Sequence, residues 1–161
     1  MTIAIKGLHH NAYRCRDSEE TRKFYEDFLG LPLANAFKIE TTHTGRGTGS
    51  GVLHSFYEMA DGSFLAFFEA PDMPFEFKKQ HDFDLHISVE VTMDHLHEMF
   101  QKGKAAGIET RGISDHSFID SIYFRDPNGY VIELSAVKAR SAHDYDKARA
   151  NLNEWQSRKS A

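Results

Sequence analysis

Two histidines stand at equivalent places in two similar segments of the sequence. His10 and His86 lie 76 positions apart, and each precedes a phenylalanine, Phe24 or Phe100, by 14 residues. In both segments a short strand pattern leads into an acidic turn and an amphipathic helix pattern that ends at a glycine. This repeat predicts two copies of one structural unit, and two such units can bring both imidazoles to one shared metal site.

The rest of each half follows the same order of elements. The first half reads as a strand over 5–15, a helix over 19–29 capped by Asp17 or Ser18, and strands over 32–40, 52–59 and 64–69. The second half reads as a strand over 85–91, a helix over 93–106, and strands over 108–113, 118–125 and 130–136. Each half is therefore a βαβββ module.

The expected fold is α+β, with two βαβββ modules whose mixed sheets form a barrel-like cleft. The modules, about 5–70 and about 83–137, make up a single domain over 1–137. A C-terminal helical extension occupies 138–161, with Ala148, Leu152 and Trp155 on its apolar side. Neither module has enough strands to bury both faces of its sheet, so the two modules pack together or pair with another chain.

The composition argues against some classes of binding partner and indicates the cellular compartment. The formal charge of −5, with no run of basic residues, argues against nucleic acid. No apolar stretch approaches the roughly 20 residues of a membrane span. The single cysteine suits a reducing cytoplasm, and the opening residues are too soon polar for a signal peptide.

Strand alternation selects the side chains that face the cleft. His86 shares one face of its strand with Ser88 and Glu90, and Glu133 is a carboxylate in an otherwise apolar strand, where it needs a partner. Two imidazoles and one carboxylate form the facial set of non-haem Fe(II) oxygenases. The alternatives are structural histidines and a Glu133 that forms a salt bridge with a basic residue.

These motifs resemble one protein family. The pattern consists of His9-His10, Phe24-Tyr25-Glu26, Leu29-Gly30-Leu31, His86 and the run YFRDPNGYVIEL over 123–134. Over roughly 5–137 it is similar to the vicinal oxygen chelate superfamily, which comprises glyoxalases, type I extradiol dioxygenases, and fosfomycin- and bleomycin-resistance proteins.

The resemblance implies a ligand set and a metal. It implies His10 rather than His9, together with His86 and Glu133, as ligands of one divalent metal. Fe(II) is expected, with Mn(II), Ni(II) or Zn(II) as alternatives. Glyoxalase I enzymes use a further glutamate at the position that Ala66 occupies here, which argues against that chemistry.

The resemblance also implies a reaction. Extradiol enzymes carry an active-site tyrosine ten residues before the carboxylate ligand, where Tyr123 stands. They also use a histidine as acid–base, for which His54 and His116 are the candidates. The expected function is therefore Fe(II)-dependent extradiol cleavage of a catechol-like small molecule by O2.

Two other functions are compatible with the sequence. A glyoxalase-like lyase or isomerase would use the same metal on an enediolate, and a small-molecule-binding resistance protein would use the fold without catalysis. The glycine-rich loop at 44–51 is either a lid or an ordinary connection. A homodimer is compatible with the resemblance.

Overall fold

The first module forms a four-stranded mixed sheet. The computed structural model describes residues 4–40, 50–79, 81–140 and 142–160. The strands are β1 (Tyr13–Cys15), β2 (Leu33–Ile39), β3 (Val52–Glu58) and β4 (Phe64–Glu69). Their order in the sheet is β1-β4-β3-β2, with β1 parallel to β4 and the other pairs antiparallel.

The second module repeats this topology. Its strands are β5 (His86–Val91), β6 (Thr110–Asp115), β7 (Ile119–Arg125) and β8 (Val131–Val137). They are ordered β5-β8-β7-β6, and again only the pair between the first and last strands is parallel. Two βαβββ modules are thus confirmed.

Each module places its helix on one face of its sheet. The helix α1 (Ser18–Arg22) is capped by the Asp17 carboxylate, which accepts from the amide of Glu20 at 2.7 Å, and it continues as a π-helical turn over Lys23–Phe28. The helix expected over 19–29 is therefore present, with its second half π-helical. There the amide of Leu29 donates to the carbonyl of Phe24, five residues back, at 2.9 Å.

The helices α2 (Met93–Ala105) and α3 (Tyr145–Ser157) differ in their surroundings. Leu96 and Met99 of α2 are buried against the second sheet. By contrast, α3 has no buried residue, and Trp155 is 57% exposed. A short 3-10 turn, Arg158–Ser160, follows α3. No helix in the described ranges combines the length and apolar character needed to span a membrane.

The modules join through polar groups buried beside α1. The Tyr25 hydroxyl donates to Asp126 at 3.0 Å, and the Asn128 amide donates to the Thr21 hydroxyl at 3.2 Å. All four side chains are at least 98% buried. Because the turn at 126–129 supplies two of these groups, it anchors the second module on the first helix.

The expected first strand, 5–15, is much shorter in the structure. Only Tyr13–Cys15 forms a ladder, and His10 makes an isolated bridge with Phe64. Between them the side-chain oxygen of Asn11 accepts from the amide of Ala66 at 3.1 Å. A side chain therefore takes the place of a backbone acceptor, and this interrupts the parallel pairing.

The expected α+β fold is confirmed, although the two sheets of the single chain are not closed into a barrel. In the single chain β1 and β5 each pair on one side only, with β4 and β8 respectively. The helix-bearing face of each sheet is covered, and the opposite face of each sheet remains open.

Candidate functional site

Glu133 lies at the centre of the open face of the second sheet. Strand β8 is buried along most of its length, and Glu133 is only 5% exposed. Its Oε1 accepts from the Ser135 hydroxyl at 3.0 Å and from the Tyr123 hydroxyl at 3.3 Å. Both donors are neutral hydroxyls, and both contact the same carboxylate oxygen.

His86 supplies the second group of the site. Its Nε2 lies 3.1 Å from Oε2 of Glu133. Its other ring nitrogen, Nδ1, lies 2.6 Å from the backbone carbonyl oxygen of Asp82. Because a carbonyl only accepts, Nδ1 donates in this hydrogen bond, and Nε2 faces the carboxylate. Metal-bound histidines usually donate their other ring N–H in this way.

Tyr123 connects the carboxylate to a second histidine. Strand register sets Tyr123 directly opposite Glu133, so the two share a face as their spacing predicted. The Tyr123 hydroxyl also lies 3.0 Å from Nε2 of His116. Burial raises the pKa of Tyr123, and the charge of Glu133 raises it further, so its hydroxyl stays protonated near neutral pH.

Two residues beside this cluster were missed from the sequence. Arg111 forms a bidentate ion pair with Asp82, at 2.7 and 2.9 Å, and its guanidinium carbon lies 5.4 Å from the ring centre of Tyr123. The hydrogen bond with Arg111 lowers the pKa of Asp82. Asp82 lies in the irregular segment between the modules, where no periodicity pointed to it.

His10 lies on the open face of the first sheet, among other rings. Its Nδ1 is 2.7 Å from Nδ1 of His9, and its ring centre is 6.0 Å from that of His54. His54 is buried, with Nδ1 3.0 Å from the carbonyl of Phe67. Burial lowers the pKa of His54, and the proximity of His10 adds to this, although the bond to the carbonyl opposes it.

Aromatic rings surround these histidines. His54 stacks on Phe68, with ring centres 3.7 Å apart, and lies 4.1 Å from Phe56. Phe37 stacks on Phe56 in turn, at 5.7 Å, and Phe64 meets Phe56 edge to face at 5.8 Å. We call these side chains the aromatic face; its members are Phe37, His54, Phe56, Phe64 and Phe68.

The single chain does not gather all the candidate ligands. His86 and Glu133 are adjacent, whereas His10 lies with the aromatic face. Within the described residues no group of three or more potential ligand side chains is close enough to hold a metal ion. His116 contacts Tyr123, whereas His54 lies beside His10, so the two acid–base candidates belong to different sheets.

Two further sequence expectations concern the first sheet. Ala66, which stands where a fourth ligand would be, is fully buried. Glu69 accepts from the backbone amide of Ser18 at 2.7 Å, so its carboxylate is engaged at the start of α1. Residues 44–49 of the suggested lid lie outside the described residues.

Comparison with known proteins identifies relatives at the level of a superfamily. A family model described as the glyoxalase/bleomycin resistance protein/dioxygenase superfamily matches residues 7–134. None of the curated proteins is similar enough in sequence to count as a match.

Solved structures share the fold at low identity. A glyoxalase/bleomycin resistance protein/dioxygenase domain from Frankia sp. EAN1pec is 16% identical with a TM-score of 0.66, covering 87% of this chain and 96% of that one. A glyoxalase/dioxygenase from Nostoc punctiforme is 19% identical with a TM-score of 0.63, covering 84% and 94%.

A third neighbour was solved with a metal ion. This mutant fosfomycin resistance protein from Listeria monocytogenes, complexed with Mn(II) and 1S,2S-dihydroxypropylphosphonic acid, is 19% identical with a TM-score of 0.60. The match covers 89% of this chain and 98% of that one.

Proposed function

This chain belongs to the glyoxalase/bleomycin resistance protein/dioxygenase superfamily, and we propose that it is an Fe(II)-dependent dioxygenase that cleaves a catechol-like ring with O2. One observation carries this proposal. A histidine nitrogen and a carboxylate oxygen converge at 3.1 Å, and a tyrosine hydroxyl is bound to the same carboxylate.

The residues at this point fit a divalent metal. Nδ1 of His86 donates to a backbone carbonyl, and Nε2 faces Oε2 of Glu133. Oε1 of this buried side chain accepts from two neutral hydroxyls. Two such groups 3.1 Å apart are the donors that a facial N, N, O set requires. His10 is the third ligand. When bound, the metal orients the two substrate oxygens beside O2 and acts as a Lewis acid.

We assign the third ligand to a second copy of the chain. His10 lies on the open face of the first sheet, whereas His86 and Glu133 lie on the open face of the second. The edges of β1 and β5 are unpaired in one chain, and exposed apolar side chains lie near both, with Leu8 60% and Phe83 93% exposed. A symmetric dimer would set each first sheet against the partner's second sheet and form two equal sites.

The aromatic face supports a flat apolar substrate. Phe37, Phe56 and Phe68 offer ring surfaces beside His10, and aromatic rings stack favourably on one another. A phosphonate would instead need unpaired cations at the site. On the second sheet the guanidinium of Arg111 is already neutralised by Asp82. The composition of the two faces therefore favours a catechol over an anionic antibiotic.

Proton movement is assigned to the tyrosine and its histidine. The Tyr123 hydroxyl donates a hydrogen bond to the reacting oxygen in place of Glu133, and its raised pKa keeps the proton available. His116 contacts that hydroxyl and is exposed, so its Nε2 exchanges the proton with water. His54, whose lowered pKa keeps it neutral, would act as a base from the opposite wall.

The alternative is a glyoxalase-like lyase or isomerase acting on a metal-bound enediolate. The same three ligands would serve it. The buried Ala66 and the engaged Glu69 leave the first sheet without the further carboxylate of glyoxalase I, so the dioxygenase is preferred.

The test is O2 consumption by the iron-loaded protein. Protein purified anaerobically and loaded with Fe(II) should consume O2 with a member of a panel of catechols and form a ring-cleaved product. Glu133→Gln should abolish this uptake. Glu98→Gln is the matched control, since Glu98 is an exposed carboxylate of α2, on the helix-bearing side of the second sheet, and it should remain active.

Two results would contradict the proposal. One is iron bound by the wild type without O2 uptake on any catechol. The other is isomerisation of a hemithioacetal with Ni(II) or Zn(II), which would instead select the glyoxalase-like alternative.

A further inference from the structure

The C-terminal helix α3 buries none of its residues against the rest of the described chain. Its large apolar side chains are exposed as well: Tyr145 is 74%, Leu152 48% and Trp155 57% exposed. A helix of 13 residues that buries no side chain is marginal in water, because packing of an apolar face supplies most of a helix's stability. The apolar side of α3 therefore lacks the surface that would cover it.

This apolar side is one stripe with regular spacing. Tyr145, Ala148, Leu152 and Trp155 follow one another at intervals of three, four and three residues. Helices that pack along one another carry their apolar residues at this spacing. We call these four residues the α3 stripe. Both of its ends are aromatic, and its two middle positions hold one small and one large side chain.

The α3 stripe is complementary to a second copy of itself in the antiparallel direction. Positions 145 and 155 are equidistant from 150, and so are positions 148 and 152. A two-fold axis level with residue 150 therefore pairs Tyr145 with the partner's Trp155. It also sets Ala148 against the partner's Leu152, so that a small side chain faces a large one. A parallel pair would set two alanines face to face and leave a gap between the helices.

The charges at the two ends of the helix favour the same direction. Asp144 caps the first turn, and Arg158 follows the last residue of α3. An antiparallel pair places each Asp144 beside the partner's Arg158 and opposes the two helix dipoles, whereas a parallel pair places like charges together. In the single chain Arg158 pairs with Glu154 in an exposed contact, which is weak enough to be exchanged. Its guanidinium carbon lies 5.6 Å from the ring centre of Trp155, so this cation already borders the stripe.

We propose that α3 is a self-association helix that packs antiparallel on α3 of a second copy, with the two stripes in contact. This contact uses no residue of the metal site, so it does not rest on the proposed function. One helix face is smaller than the roughly 800 Å² per chain that a standard interface buries. The association through α3 should therefore be weak and should depend on protein concentration.

The charge of the helix argues against a membrane surface as the partner. A helix that lies on a membrane usually carries lysine and arginine along its polar face. The segment 144–158 instead mixes three acidic and three basic side chains, which are Asp144, Asp146 and Glu154, and Lys147, Arg149 and Arg158. A second copy of the chain, which supplies both signs and the matching stripe, fits this pattern better.

Disulfide formation between chains measures the register. Ala148→Cys and Leu152→Cys chains that carry tags of different length are mixed and mildly oxidised. Disulfides that join the two variants should be well above the half that random pairing gives, because the two positions meet across the axis. Ala150→Cys is the matched control, since this position lies about 200° around the helix from Ala148 and should stay reduced. The native Cys15 is 1% exposed and does not compete.

Fluorescence measures the contact itself, because Trp155 is the only tryptophan of the chain. As wild-type protein is concentrated from micromolar towards millimolar, the emission should move to shorter wavelength while the mass in solution rises. Leu152→Gln keeps a good helix former but removes an apolar member of the stripe, and it should weaken the association at least about tenfold. Ala150→Gln, on the opposite side of the helix, is the matched control and should behave as the wild type.

Three results would overturn the proposal. The first is a Trp155 emission that stays at the wavelength of a solvent-exposed ring at every concentration. The second is random pairing in the cysteine mixture, or an excess of disulfides within one variant, which would indicate a parallel pair. The third is a short-wavelength emission that a monomer already shows, or that appears only when lipid vesicles are added, since either would assign a different partner to the stripe.

Discussion

Mixing two inactive variants tests whether each site draws residues from two chains. His10→Ala removes the proposed ligand of the first sheet, and Glu133→Ala removes one of the two proposed ligands of the second. In a mixed dimer, one site combines the intact His10 of one chain with the intact His86 and Glu133 of the other. The second site of that dimer lacks both replaced residues.

The expected magnitude follows from symmetry. Free exchange of equal amounts makes about half of the dimers mixed, and each has one complete site of two, so about a quarter of the wild-type activity should return. A mixed dimer purified by two different affinity tags should have about half. The matched control mixes His86→Ala with Glu133→Ala, two residues of the same sheet, and every site then remains incomplete.

The assay is O2 uptake with Fe(II) and the best catechol, alongside the mass of the assembly in solution. Activity in the first mixture and none in the control supports a shared site. No recovery in a purified mixed dimer of His10→Ala and Glu133→Ala would refute it, and so would a wild type that is fully active as a monomer.

Three further predictions concern stability. Asn128→Ala should lower the free energy of unfolding in urea by roughly 1–3 kcal/mol, because the backbone amide of Arg16 loses its side-chain acceptor and the Thr21 hydroxyl loses one of its two partners; a change within 0.5 kcal/mol of zero, about the effect of a typical surface substitution, would contradict this. Gly103→Ala should destabilise by about 1–3 kcal/mol despite its better helix propensity, since its Cβ would lie 2.5 Å from a ring carbon of Phe124; a more stable variant would disprove the clash. Burial raises the pKa of the Cys15 thiol to about 11, so the unfolded chain ionises first, and stability should fall by up to roughly 3 kcal/mol as pH rises from about 9 to 11. Cys15→Ala should remove that part of the alkaline loss in denaturation curves.

The sequence predicted strands β5, β7 and β8 to within one residue at each end. Tyr123 and Glu133 are ten residues apart, and the connection between their strands spans the five residues 126–130, so strand alternation sets them on one face. The same rule failed at residues 5–12. There the side-chain oxygen of Asn11 accepts a hydrogen bond that a backbone carbonyl would accept in a regular strand. Neither hydropathy nor residue spacing predicts this exchange of acceptors.

The relation between the two sheets could not be predicted from the repeat. Equivalent positions in two modules place His10 and His86 at equivalent points of each sheet, but the repeat does not set the angle at which the modules meet. That angle depends on contacts such as Tyr25 with Asp126 and Asn128 with Thr21, which join the helix-bearing side. Arg111 and Asp82 were missed for a similar reason, since their pairing joins a strand to an irregular segment.

The two open faces differ in chemistry, and this difference argues for their joint use. The first sheet exposes the aromatic face with two histidines, and the second exposes a carboxylate, a tyrosine, serines and a histidine. Aromatic surface left in water, such as that of Phe37 at 43% exposure, is costly. In the proposed dimer, apposition of the two faces would let the rings cover a flat substrate and would bring the nitrogen and oxygen donors together around a metal. Neither face has a comparable use alone, because the aromatic face lacks an anionic ligand and the polar face lacks an apolar wall.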